Sequence, residues 1–261
     1  MADRFLAELQ NLVRFQNEVV GFHPAFEDAY PVAIVVENQF LIYDRPDRLE
    51  DYSLVKTAPL HMEIPEGVMA AFPLEPYGGQ TTAVVTPAIF DRSDAVVMFM
   101  HEFVHCYQSK IGVDDLRYRL TICQEEEARG HVTWEIDHPF PFDKEAFVAT
   151  YASFLQALER DDSEAVTRIR KDLKQLLTLR DFEYMVWEEW VEGFARWIEN
   201  RLRDYAHLSH LDVGAVPPYN RITFYVGGAA YFDWLAQREP QALNDLPGLF
   251  ERLMTWSDGK Q

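Results

Sequence analysis

Residues 101–105 read His-Glu-Phe-Val-His, and their types and spacing suit metal chemistry. On a helix, positions four apart share one face, one turn above the other. Two imidazoles so placed can bind one zinc ion at about 2.0–2.1 Å each. Glu102 lies about 100° further round the helix, where it can take a proton from a metal-activated water, as the H-E-x-x-H arrangement does in metal-dependent hydrolysis. Val96, Phe99, Met100, Phe103 and Tyr107 fall on the opposite side of the same helix and read as core, while Asp94, Val97, Met98 and Gln108 share the histidine side. The stretch from Ala95 to Met100 is almost wholly apolar, so the helix is expected to be buried on most sides. Two histidines inside such a helix are costly without partners. A metal satisfies both; a directly hydrogen-bonded pair is the alternative.

A catalytic zinc commonly takes three protein ligands and leaves one position for water. The segment Trp190-Val191-Glu192-Gly193-Phe194-Ala195 resembles the third-ligand helix of the gluzincins, the zinc peptidases that use two histidines and a glutamate. It is most similar to the aminopeptidase branch, where a glutamate is followed closely by Gly, Phe and Ala. The resemblance implies that Glu192 completes a zinc site with His101 and His105. It also implies a zincin-like α+β fold and hydrolysis of a peptide or small amide, with Glu102 as general base. Gly193 and Ala195 are expected to let this helix approach the histidine helix closely. Two features depart from the pattern. Glu192 comes 87 positions after His105, so a helical insert separates the site helices, and Arg196 stands where thermolysin-like enzymes carry an Asp. A second partner for the ligands must then come from elsewhere. Read from the residues alone, Trp187, Trp190, Val191, Phe194 and Ile198 make the apolar stripe of this helix, and Glu192 sits off it on a flank with Glu188, Ala195 and Glu199. A solvated Glu192–Arg196 pair is the alternative there, and Glu188, Glu189 and Glu199 are rival ligands.

Amide hydrolysis also needs a donor for the oxyanion of the tetrahedral intermediate. Tyr225-Val226-Gly227-Gly228-Ala229 resembles a helix that follows the third ligand in gluzincin-like proteins, which makes Tyr225 the candidate, with Tyr219, Tyr231 and Arg221 as rivals. A core tyrosine with a satisfied hydroxyl is the alternative. The residues from Thr81 to Thr86 suit either the edge strand that pairs with an extended peptide in resembling proteins or an ordinary interior strand. His131 and His138 read as surface or hydrogen-bonded histidines, Cys106 as a small buried hydrophobe, and Glu125-Glu126-Glu127 as a solvated face. Two other functions stay open: a metal-dependent hydrolase of non-peptide substrates, or an inactive zincin-like binding protein.

The elements that must position these residues follow from periodicity. Apolar residues at helical spacing over 5–20 predict a first helix. Residues 31–43 predict two short strands around a turn at Glu37-Asn38, and further extended pieces are expected near 59–64, 68–73 and 81–86. A helix capped by Ser93 or Asp94 should run to about Lys110, with Gly112 beyond its end. Helical patterns then cover 122–135, 143–160, 162–178, 181–205, 219–237 and 243–256. The first 90 residues thus carry a small twisted sheet and 91–261 are mainly helical, which predicts α+β within a single domain. The chain has 261 residues, 48% of them hydrophobic, and a formal charge of −19. That charge repels phosphate backbones and anionic membranes, so neither nucleic acid nor membrane is an expected partner. The N-terminal apolar positions are interrupted by Asp3, Arg4 and Glu8, unlike a secretory signal, and two cysteines allow at most one disulfide, so a cytoplasmic location is expected.

Overall fold

The computed structural model describes residues 3–211 and 213–255. Its sheet begins with a hairpin. Val32–Val36 (β1) and Gln39–Asp44 (β2) pair antiparallel around Glu37 and Asn38, whose φ values of 49° and 62° are the left-handed conformations that a two-residue hairpin turn requires. Ser53–Pro59 (β3), Met69–Leu74 (β4) and Gln80–Val85 (β5) complete five strands in the order β3-β2-β1-β5-β4. β1 and β5 run parallel; the other three pairs are antiparallel. Ala33, Phe40, Ile42, Leu74 and Val84 form a buried cluster on this sheet.

One strand expectation is corrected, and for another the interior of its two readings holds. The piece expected near 59–64 is displaced to β3, which is exposed at nearly every position and therefore carries no alternation of apolar and polar residues to betray it. The strand expected at 81–86 exists, but β5 is hydrogen-bonded to β1 on one side and β4 on the other. It has no open edge for a substrate.

The helices are Asp3–Val19 (α1), Ala95–Lys110 (α2), Val113–Arg117 (α3), Thr121–Ala128 (α4), Trp134–Asp137 (α5), Glu145–Glu159 (α6), Ser163–Leu176 (α7), Leu179–Tyr205 (α8), Ile222–Ala236 (α9) and Leu246–Thr255 (α10). The single helix expected over 122–135 is in fact α4 and α5, because Gly130 turns the chain with φ 77°. The architecture is α+β, with the small mixed sheet in the N-terminal part. Among the described residues no helix is long and apolar enough to cross a membrane.

Two compact units make up the chain: residues up to Ile111 with Ile198–His210, and Gly112–Trp197 with the described residues from Leu211 on. The first holds the sheet, α1 and α2; α2 packs on β4, β5 and α1. The second holds the helices from α3 to α7 with α9 and α10, and α6 packs against both α7 and α9. Helix α8 contributes residues to both. Phe140, Phe147, Tyr151 and Phe224 interlock at ring separations of 4.8–6.2 Å in the second unit.

Candidate metal centre

Helix α2 carries His-Glu-Phe-Val-His inside a nearly apolar run, so burial rather than propensity holds it: Val97, Phe99, Met100, Phe103 and Val104 are at most 2% exposed. Asp94 takes the N-cap position, as expected, yet makes no capping bond. Its carboxylate instead accepts from Arg92 (Nε, 2.8 Å) and from Arg203 of α8 (Nη2, 2.6 Å). The two cations hold Asp94 below the usual carboxylate range against the opposing effect of burial, which is the larger single influence.

His101 and His105 stand one turn apart with their Nε2 atoms 3.1 Å from each other. Each Nδ1 is tied to an oxygen. His101 Nδ1 donates to Glu199 Oε2 at 3.0 Å, and His105 Nδ1 donates to Gln108 Oε1 at 2.8 Å. A carboxylate can only accept, so His101 carries its proton on Nδ1 and presents an Nε2 lone pair. Glu199 is itself gripped by Arg203 (Nε to Oε1, 2.6 Å). A charged chain, Asp94–Arg203–Glu199–His101, therefore orients the first imidazole from behind; all four residues are at most 8% exposed.

Seven residues separate Glu192 from Glu199 on α8, two near-integral turns, so both carboxylates leave the same face about 10 Å apart along the axis. One ligand atom from each of His101, His105 and Glu192 lies within 4.8 Å of the others, and among the described residues they are the one group of three His, Cys, Asp or Glu to do so. For tetrahedral coordination at about 2.0–2.1 Å, two imidazole nitrogens should stand about 3.3 Å apart. The observed 3.1 Å fits a divalent ion held between one buried and one half-buried imidazole.

Glu192 is partly buried on α8. Its side chain is 15% exposed, and Arg221 Nη2 donates to it at 2.9 Å. The same guanidinium donates through Nε to Glu188 at 2.8 Å. Tyr225 hydrogen-bonds Glu192 as well, and burial followed by the Glu192 charge pushes its phenol far up. Burial likewise raises the Glu188 carboxyl well above its ordinary range, although Arg221 pulls the other way. Arg196, the partner expected on one reading, reaches the Leu211 carbonyl at 3.3 Å. Glu189, a rival ligand, is committed to Arg170 (2.6 Å) and Tyr151 (2.8 Å).

Gly193, expected with Ala195 to bring α8 close to α2, faces α9. A Cβ on Gly193 would sit 2.6 Å from the Gly228 Cα, and one on Gly228 would collide with the Glu189 carbonyl, so this pair sets the approach of α8 to α9. That approach brings Arg221 and Tyr225 to Glu192. Of the rivals to Tyr225, Tyr231 stacks on Trp234 and Tyr219 packs against Phe147 and Tyr151, whereas Arg221 is at Glu192.

His131 bonds Glu126 and Asp137, and His138 bonds Asp181, as hydrogen-bonded histidines should. Cys106 is buried and free, and so is Cys123. Within the acidic run, Glu126 is not solvated: it is 7% exposed and pairs with Arg129, Arg180 and His131. Comparison with family models, with curated proteins and with solved structures finds no match to this chain.

Proposed function

We propose that this chain is a zinc-dependent hydrolase of amide bonds, held together chemically by His101, His105 and Glu192. The observation that carries the reading is the convergence of two Nδ1-anchored imidazoles, Nε2 to Nε2 at 3.1 Å, with the Glu192 carboxylate in the same cluster. The zincin-like pattern of His-Glu-Phe-Val-His followed by Glu-Gly-Phe-Ala, on an α+β chain with its sheet first, points the same way. Bound there, zinc supplies Lewis acidity, polarising a carbonyl and lowering the pKa of water to about 7.

The chain's own residues do the rest. Glu102, 4% exposed on the same helix, takes the proton of the attacking water on a carboxylate oxygen and delivers it to the leaving nitrogen. Glu199 and Gln108 keep the imidazole Nε2 atoms aimed inward. Tyr225, whose hydroxyl bonds Glu192, is assigned the oxyanion contact, with Arg221, bonded to Glu188 and Glu192, as its rival. The interior position of β5 favours a small amide over a long extended peptide, because that strand's hydrogen bonds are taken on both sides. The two buried free thiols suit a reducing, cytoplasmic setting.

Metal analysis of the purified protein, paired with turnover of a fluorogenic peptide mixture and of small aryl amides, tests this. We expect one zinc per chain, its loss in Glu192→Ala, and in Glu102→Gln a retained metal with hydrolysis abolished. Undiminished turnover in Glu102→Gln ends the general-base assignment; a wild-type protein that binds no divalent metal ends the whole reading.

A further inference from the structure

A cavity lies in the unit that contains α6 and α9, lined by none of the metal-ligand residues. It has a volume of about 600 Å³, within the range of small-molecule sites. Leu155, Val226 and Ala230 line it between the two helices, and Val216, 71% exposed, adds an apolar lip. Trp234 forms a rigid wall: Tyr231 stacks on it at 5.7 Å and the Arg238 guanidinium sits 4.3 Å from its ring centroid.

The charged residues that line this cavity are acidic, with one cation, Arg238, against its Trp234 wall. Glu159, Asp161 and Asp233 line it, and no Lys, Arg or His does. Arg238 neutralises Asp161. Asp233 accepts only a neutral amide, from Gln237 Nε2 at 3.2 Å, and among the described residues neither Asp233 nor Glu159 has an ion-pair partner. Two uncompensated carboxylates above an apolar, aromatic-walled hollow select for a positive charge on an apolar body, since the acids attract the cation and the walls remove the remainder from water. We propose that this cavity binds a small organic cation, an amine carrying an aromatic or aliphatic group.

Three probes of one shape and different charge decide it: benzylammonium, benzyl alcohol and benzoate, titrated into the full chain while the Trp234 indole NMR resonance is followed, identified by its disappearance in Trp234→Phe. Benzylammonium should shift the resonance saturably, with the alcohol at least tenfold weaker, as two carboxylates at about 1 kcal/mol each would give in water, and benzoate without effect. Glu159→Gln with Asp233→Asn should weaken the amine about thirtyfold by the same reasoning, with far-UV circular dichroism and metal content unchanged. Equal affinity for alcohol and amine, a shift that never saturates, or unaltered amine binding in the folded double variant would each overturn the assignment.

Discussion

At the scale of single residues, the site depends on side chains that never touch its centre. Glu199 holds His101 Nδ1 and is held by Arg203. Glu199→Gln keeps the shape and removes the charge, so zinc affinity should fall about 10–100-fold, read by competition with a chromophoric chelator; an unchanged affinity would deny Glu199 its orienting part. His-Glu-Phe-Val-His was legible because its information is local, five residues on one helix. The Glu199 contact was not, since 98 positions separate the pair and a glutamate two turns past a candidate ligand reads equally well as a rival ligand. A second residue-scale consequence concerns acid. Burial, reinforced by Arg201, lowers His23 from 6.5 to about 4 while its Nδ1 accepts the Ala25 N–H. Folding therefore favours the neutral ring. Its contribution, about 3 kcal/mol, is whole above pH 6.5, shrinks as pH falls and is gone below about 4. The stability gap between wild type and His23→Gln, measured by urea unfolding, should close over that interval; a gap independent of pH would contradict the shift.

At the scale of elements, the segments that sequence pattern located well are α1, α6 and α7, each with an apolar face, and the almost continuously apolar α9 and β1–β2 hairpin, all within a few residues of expectation. The misses have physical causes. β3 is exposed along almost its whole length and offers no pattern, and Gly130 stops a helix whose apolar periodicity continues past it. The resemblance around Glu192 and Tyr225 was partly a packing signal. Gly193 and Gly228 are small because α8 and α9 cross at that point. Gly228→Ala drives a methyl into the Glu189 carbonyl, and overpacking of this kind costs about 1–3 kcal/mol. Because the crossing also places Arg221 and Tyr225 beside Glu192, we expect the variant to lose metal affinity together with thermal stability. A stable Gly228→Ala protein with its metal site intact would mean that the two helices can separate without consequence.

At the scale of the whole molecule, the charge of −19 makes the folded chain repel itself. Raising ionic strength from about 0.01 to about 0.15 M shortens the screening length from about 30 to about 8 Å, which damps repulsion among exposed carboxylates and leaves buried pairs such as Arg170–Glu189 almost untouched. The melting temperature of the metal-loaded protein should rise across that range; a fall would show that surface attractions outweigh the net charge. The same excess of acid leaves Glu159 and Asp233 without ion-pair partners among the described residues at the α6–α9 cavity.

The borders of the sheet carry one more implication, for how the protein behaves when crowded. A terminal strand invites a neighbour's backbone to add on and seed fibres. Here one border strand, β3, ends in Pro59 and holds Lys56, and the other, β4, carries Pro73 opposite Thr81. A proline cannot donate to an incoming ladder and a lone lysine resists being stacked against its own copy, so both borders are poor templates for another chain's strand.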